Sequence, residues 1–317
     1  MRFGSLTVGR DFKLVLGDSA CNSFGMAGEQ VLFGLLVYGL TGSSAWVGAA
    51  FALYFGPMLV FGALAGALAD AVDRRRLLPV AELGIAATLA LLVLLIALEH
   101  ASLWPVLALT AVSGSVRAVY QPARSSYVYD LVGGQSVVAA FGWLNLSMRA
   151  GQLAGALAAG SLMQRFGAEY AYGALCTANL CAAALTLQLR SSSSSLREAV
   201  REPRSTLWGT LRELGSEMRV NRSLLMLVIV TASVETFGFS FVTALPELTE
   251  GLGGGPESLG AMHAARAAGG LLAGAALAAV GARLQRRGLA YLLVVYLFGA
   301  GLWLLAGAPG LVFAGFA

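Results

Sequence analysis

Two long apolar segments meet at the sequence Gly66-Ala-Leu-Ala-Asp70-Ala-Val-Asp-Arg74-Arg75-Arg76. Gly66 and the glycine four residues before it allow a neighbouring helix to approach the first segment closely. The three arginines are typical of a turn on the inner side of a membrane, where positive charge accumulates. A simple basic anchor would explain the arginines, but it leaves the carboxylate of Asp70 at the membrane edge unexplained. The stretch therefore predicts two membrane-spanning helices joined by a tight charged turn.

The composition extends this prediction to the whole chain. The 317 residues are 57% hydrophobic and 12% charged, whereas a soluble domain carries about 25% charged residues. The three cysteines lie in apolar segments and show neither metal-ligand nor disulfide spacing. We therefore predict an all-α integral membrane protein with no metal and no cofactor.

Apolar runs bounded by charged or turn residues predict about nine complete membrane spans. Each run is long enough, because about 20 helical residues cross about 30 Å of hydrocarbon. The predicted spans lie near 14–40, 45–69, 77–98, 102–121, 136–162, 168–189, 223–246, 257–281 and 288–306. A tenth apolar segment begins near Pro309.

The basic residues predict the orientation of the chain. With a cytoplasmic N-terminus, most of the 21 Lys and Arg residues fall on the inner side, and Arg165 falls in an outer loop. This asymmetry follows the positive-inside rule and indicates a multi-pass protein of the cell membrane. Because the basic residues follow loop sidedness and form no continuous patch, we expect the bilayer as a partner and no nucleic acid.

The chain divides into three predicted regions. A six-helix bundle at 1–189 is followed by a cytoplasmic linker with an amphipathic helix at 190–222, and then by an incomplete bundle at 223–317. The segment 62–72 matches 270–280 at seven of eleven positions. This weak repeat pairs the second span with the eighth, as two parallel six-helix repeats would.

The charged turn resembles the signature between helices two and three of the major facilitator superfamily. It departs from that signature at Ala71, where a basic residue is usual, and at Asp73, where glycine is usual. The resemblance implies two six-helix bundles, of which the second is truncated here after the start of a tenth helix. It also implies that Gly66, Asp70, Arg74 and Arg75 form a turn that acts in conformational change. Further stretches resemble macrolide-efflux and enterobactin-export proteins; these are 16–18, 36–43, 122–145 and 245–260.

Four glycines in the fifth span resemble the glycine-rich motif of drug/proton antiporters. They are Gly142, Gly151, Gly155 and Gly160, and Ala156 stands where the motif has proline. The alternative is plain packing of small residues, because Gly151 and Gly155 share one helical face.

Two carboxylates lie near the middle of predicted spans, Glu29 in the first and Glu235 in the seventh. Burying a charge in a membrane costs at least about 2.5 kcal/mol, and such groups are functional candidates. The resemblance implies that these two helices line a central cavity, where both carboxylates would take up protons. The alternative is a pair of structural ion pairs with Arg149 or Arg266.

The fourth span carries a polar stripe of Arg117, Tyr120, Gln121 and Arg124, spaced at i, i+3, i+4 and i+7. We expect this stripe to face water, where it binds an anionic substrate or lines the inner vestibule. The residues Asp18, Glu82, His263 and Arg266 lie nearer to the predicted helix ends, and snorkelling accounts for them without chemistry.

The predicted function is secondary active transport by alternating access, with proton-coupled efflux of small amphipathic molecules. The resemblance alone describes these molecules as drug-like, macrolide-like or siderophore-like. We expect a monomer and no enzymatic activity, because two histidines and no clustered catalytic groups leave no reaction centre. The predicted substrate and proton cavity contains Glu29, Glu235, Arg117, Tyr120 and Arg149. The alternatives are a truncated remnant that does not transport and, with less support, an intramembrane enzyme.

Overall fold

The computed structural model describes residues 9–71, 73–132, 137–190, 216–280 and 287–307, together with Arg212 and the short segments 2–3 and 6–7. Within these ranges the chain is almost entirely α-helical, in agreement with the predicted fold class. Two strands of two residues each, β1 (Arg2–Phe3) and β2 (Leu6–Thr7), pair antiparallel at the N-terminus. The tenth segment, and more than half of the predicted amphipathic helix, lie outside the described residues.

Each predicted span coincides with a helix in the described part of the chain. The helices are α1 (Arg10–Thr41), α2 (Ser44–Ala71), α3 (Arg74–Ala97), α4 (Leu103–Val132), α5 (Val137–Phe166), α6 (Ala168–Leu187), α7 (Arg222–Gly251), α8 (Pro256–Val280) and α9 (Arg287–Ala306). Among the described residues, five helices are long and apolar enough to cross a membrane by length and composition: α1, α3, α4, α6 and α7.

The predicted end of the fourth span at residue 121 is wrong. Helix α4 continues through Pro122 to Val132, although proline removes one backbone donor and commonly ends or kinks a helix. Packing accounts for the continuation, because Ala123, Arg124, Tyr127 and Val128 are all buried after the proline. Tertiary burial therefore stabilises the last turns of this helix.

Helix α7 is interrupted near its middle. An α-helical part, Arg222–Ser233, leads into a π-helical turn at Val234–Gly238, and a second α-helical part runs from Phe241 to Gly251. Single π-helical turns inside α-helices are rare and occur frequently at functional sites. Glu235 lies in this turn.

The turn between α2 and α3 explains one departure from the family signature. Asp73 is the N-cap of α3, and its side chain accepts a hydrogen bond from the backbone N–H of Arg75 at 3.1 Å. Such a cap satisfies a donor that the first helical turn leaves unpaired. Asp73 therefore starts α3 at a position where glycine is usual.

Helices α1 to α6 form one bundle. Helix α1 packs against α5 and α6, α2 packs against α4, and α3 packs against both α4 and α6. The second part of the chain joins this bundle through α8, which packs against α5, and through the second part of α7, which contacts α2. Polar side chains of α1, α3 and α4 therefore face one another inside the bundle.

Candidate functional site

An ion pair joins α1 and α4 in the interior of the bundle. The guanidinium of Arg117 donates to Oε2 of Glu29 through Nη2 at 3.0 Å and through Nε at 3.2 Å. The hydroxyl of Tyr54 on α2 donates to the same oxygen at 3.3 Å. Glu29 is 1% exposed and Arg117 is 5% exposed, so water hardly screens the pair.

A second carboxylate is connected to this ion pair through an amide. Arg117 donates from Nη1 to Oδ1 of Asn22 at 3.3 Å, and Nδ2 of Asn22 donates to Oε1 of Glu82 at 2.7 Å. The network therefore runs from α4 through α1 to α3. It links three helices that the packing of the bundle brings together.

Asp18 and Arg124 extend the network toward the N-terminal end of α1. The hydroxyl of Tyr120 donates to Oδ2 of Asp18 at 2.6 Å, and the guanidinium of Arg124 lies over the Tyr120 ring at 5.2 Å from its centroid. Asp18 also interacts directly with Glu82. The buried network thus contains three carboxylates and two guanidiniums: Asp18, Glu29, Glu82, Arg117 and Arg124.

The prediction that Asp18 and Glu82 lie near helix ends and snorkel toward water is wrong. Both side chains are completely buried. Helix α1 begins at Arg10, so Asp18 lies about two turns inside it. Snorkelling cannot account for a carboxylate enclosed by neighbouring helices. The sequence signal that could have found them is the acidic residue itself, inside an apolar run.

The prediction that the polar stripe of α4 faces water also needs correction. Arg117, Tyr120 and Arg124 are buried, and their partners lie on α1 and α5 rather than in solvent. The stripe faces the bundle interior because α1 supplies the acceptors that guanidinium and phenol groups require. Only Gln121 remains partly exposed.

Glu29 pairs with Arg117, and neither Arg149 nor Arg266 is its partner. Glu235 lies exposed on the π-helical turn and forms no ion pair with any described residue. The structure therefore brings Glu29, Arg117 and Tyr120 into one network and leaves Glu235 outside it.

Arg149 instead lies in a separate cavity of about 450 Å³ between α5, α7, α8 and α9. Arg266 of α8 lines the same cavity. Arg149 donates to Oε1 of Gln152 at 3.2 Å, and Arg266 donates to Oε1 of Gln30 at 3.4 Å. Most of the remaining wall is apolar, with aromatic side chains from α7 and α9.

At the charged turn, Arg74 forms an ion pair with Asp130. This contact ties the start of α3 to the end of α4. The surroundings of Gly66 and the side chain of Asp70 are not among the described features, so the predicted role of this turn stays a prediction.

The predicted glycine motif of α5 lies mostly at helix–helix contacts. A methyl group at Gly151 or Gly155 would overlap backbone carbonyl oxygens of α1, and one at Gly160 would overlap the backbone of α8. Gly142 has no neighbour within 4 Å of such a methyl group. Three of the four glycines therefore allow helices to touch, while the fourth does not contribute in this conformation.

The described residues hold no group of three or more His, Cys, Asp or Glu side chains that could bind a metal ion. The site instead places carboxylates next to guanidiniums. The separate cavity combines two arginines with an apolar wall.

The family model described as "Major Facilitator Superfamily" matches residues 19–317. No curated protein sequence matches the chain significantly. A solved structure of a bacterial homolog of the human lysosomal transporter Spinster, in an inward-facing and unoccupied conformation, is similar at 16% identity and a TM-score of 0.63, over 89% of this chain and 65% of that chain.

Two structures of peptide transporters of the POT family are also similar. One, in complex with alafosfalin, has 16% identity and a TM-score of 0.54, over 74% of this chain and 49% of that chain. Another, described as auto-inhibited, has 16% identity and a TM-score of 0.51, over 82% of this chain and 57% of that chain. The chain therefore spans about half to two thirds of the length of these structures, and the likeness concerns the fold.

Proposed function

The chain belongs to the major facilitator superfamily and is a multi-pass membrane protein, and from that premise we propose that it is a secondary active transporter. It exports small amphipathic molecules in exchange for protons by alternating access. The observation that carries this proposal is the buried ion pair between Glu29 and Arg117. Ionisable residues at membrane depth commonly mark substrate pathways and proton relays.

The ion pair offers a physical basis for coupling. While Glu29 is ionised, Arg117 is held against α1 by two hydrogen bonds to one carboxylate oxygen. A proton on Glu29 removes the negative charge and weakens both bonds, because charge-assisted hydrogen bonds are about twice as strong as neutral ones. One of the contacts between α1 and α4 therefore depends on the protonation of a single carboxyl group.

The arrangement of the helices supports alternating access. The first bundle and the later helices touch at two places: Gly34 near the end of α1 lies against Pro246 of α7, and Gly160 near the end of α5 lies against Gly260 near the start of α8. At the other end, Arg222–Ser233 of α7 has no buried side chain. With the predicted cytoplasmic N-terminus, the end at which the two parts touch is the outer one. The similar Spinster homolog is described as inward-facing.

The remaining predicted elements keep defined roles in this proposal. Tyr120 and Arg149 belong to the interior through which the proton and the substrate pass, and Glu235 is a second proton carrier on the interrupted helix. The charged turn and the α5 glycines permit the rocking movement. The division at 189 and 222, the monomeric state and the cell-membrane location remain predictions.

The test is proton-driven transport by the purified chain in liposomes. With a pH gradient imposed, wild-type protein is expected to move an amphipathic dye against its gradient, either the anion anilinonaphthalene sulfonate or the cation ethidium, and Glu29→Gln is expected to abolish this accumulation. Exchange of the transported dye at equal pH on both sides should persist in the variant, because exchange needs no net proton movement. Glu169→Gln, which changes an exposed carboxylate at the start of α6, is the matched control.

Equal gradient-driven accumulation by wild type and Glu29→Gln would remove Glu29 from the coupling mechanism. Absence of any movement by the wild-type chain, for ethidium and for its anionic counterparts, would favour a remnant that does not transport. Family membership points to transport rather than to an enzyme.

A further inference from the structure

We propose that Arg149 of α5 and Arg266 of α8 form an anion-binding subsite, so that the molecule transported by this protein is an amphipathic anion. The inference rests on the proposed function, because it names the chemical class of the substrate. It concerns the cavity of about 450 Å³ that both arginines line, and not the buried network around Glu29.

Both arginines lie far from the helix ends. Arg149 is near the middle of Val137–Phe166, and Arg266 is near the middle of Pro256–Val280. Neither can therefore reach a membrane surface as easily as a terminal arginine, whose long side chain snorkels toward water. At this depth a cation is normally paired with a carboxylate or directed toward a functional cavity.

The described part of the chain supplies these two arginines with amides only. Arg149 donates to the side chain of Gln152 and Arg266 to that of Gln30, and no described carboxylate lies within 4.0 Å of either guanidinium. Arg117 differs from them, because Glu29 neutralises it. The cavity thus presents positive charge that the described residues leave uncompensated.

The two guanidiniums also act on each other. Both line the same cavity, so their positive charges repel each other. Two like charges facing one cavity are unfavourable by themselves, but both attract an anion placed between them. Gly270 permits this arrangement, because a methyl group there would lie 3.2 Å from Cζ of Arg149.

The rest of the wall defines the other half of the ligand. Phe239 and Phe241 of α7, Met262 of α8 and Phe298 of α9 line the cavity. Aromatic and apolar walls with a few polar groups are typical of small-molecule sites, and a volume of about 450 Å³ fits a drug-sized molecule. The expected ligand therefore carries an acidic group on an apolar or aromatic body.

The position of the subsite connects it to transport. Arg149 belongs to the first bundle, whereas Arg266 belongs to the part of the chain that follows residue 222. An anion bound by both arginines would hold α5 and α8 together, and its release would allow them to separate. A ligand shifts a conformational equilibrium only through such differential contacts.

The experiment compares two probes of the same size and shape but opposite charge. Binding of tetraphenylborate and of tetraphenylphosphonium is measured by equilibrium dialysis on the full chain in nanodiscs, with empty nanodiscs subtracted. Wild-type protein is expected to bind the borate at least about tenfold more tightly. Arg149→Gln and Arg266→Gln should each reduce borate affinity about tenfold, because each variant removes one of the two positive charges that attract the anion in the cavity.

Arg165→Gln is the matched control, since Arg165 is an exposed arginine in the last turn of the same helix α5. The ratio of the two affinities is read within each variant, so it does not depend on the fraction of folded protein. Equal affinity for both probes in the wild type, or an unchanged ratio in both cavity variants, would overturn the inference. The binding measurement uses no proton gradient, so its outcome does not depend on whether Glu29 couples transport to protons. Tighter binding of the phosphonium would contradict the anion subsite but would leave the proposed proton coupling untouched.

Discussion

At the scale of single residues, the buried network carries more negative than positive charge. Asp18, Glu29 and Glu82 face Arg117 and Arg124, which is three carboxylates against two guanidiniums among the described residues. Oδ1 of Asp18 and Oε2 of Glu82 accept no hydrogen bond from any described residue. A proton shared by these two carboxyl groups would balance the charge and supply a donor, as buried polar groups require.

This charge balance gives the first prediction. Glu82→Gln removes one negative charge and brings an N–H donor to Asp18, so we expect the thermal unfolding temperature in detergent to remain equal to wild type or to rise. Arg117→Gln leaves Glu29 buried and unpaired, so we expect it to destabilise the chain by about 3–5 kcal/mol. If Glu82→Gln is less stable than Arg117→Gln, then all three carboxylates are ionised and other groups balance their charge.

The pairing of these residues could not be derived from the sequence. The sequence shows ionisable residues inside apolar segments, and this marks Glu29 and Arg117 as candidates. Their pairing depends on α1 and α4 meeting, although the two partners are separated by 88 positions in the sequence. Hydrophobic periodicity reports which residues are apolar, but not which neighbouring helix a polar side chain faces.

At the scale of elements, α5 connects the two parts of the chain through backbone contacts. Gly155 lies against the backbone of Phe24 on α1, and Gly160 lies against that of α8. Glycine is needed at these two positions because a side chain would push the helices apart.

This close approach gives the second prediction. Gly155→Ala should destabilise the chain by about 1–3 kcal/mol, because the added methyl group overlaps the carbonyl of Phe24. Gly142→Ala is the matched control on the same helix. It has open space around it and should be neutral or stabilise by up to about 1 kcal/mol through helix propensity. Equal effects on the unfolding temperature would show that α5 does not touch α1 as described.

The helices themselves were largely predictable, because every predicted span coincides with a helix in the described ranges. Long apolar runs indicate the helices directly, and charged turns indicate the connections between them. The ends were less predictable: α4 passes Pro122, and α7 contains a π-helical turn. Both features depend on packing between helices that are distant in sequence, and a local pattern does not contain that information.

At the scale of the whole molecule, the two parts of the chain meet mainly at one end. Ser44 at the start of α2 donates to Glu247 near the end of α7, close to the contact of Gly34 with Pro246. Near the opposite end, the first part of α7 is unburied. An alternating-access cycle requires this closed end to open while the other end closes, so the contact of Ser44 with Glu247 must break once in every cycle.

The third prediction is that fixing this contact stops transport. Ser44→Cys and Glu247→Cys are combined in a chain whose three natural cysteines, Cys21, Cys176 and Cys181, are replaced by serine. A short thiol-reactive cross-linker should join the two positions readily and reduce movement of the transported dye to the background of empty liposomes. A cross-linker cleavable by reductant should restore movement after cleavage.

The control joins Ser44→Cys to Glu169→Cys at the start of α6, where no cross-link is expected. Full transport by the cross-linked protein would show that this end does not open during the cycle, because a covalent link at a moving contact cannot be neutral.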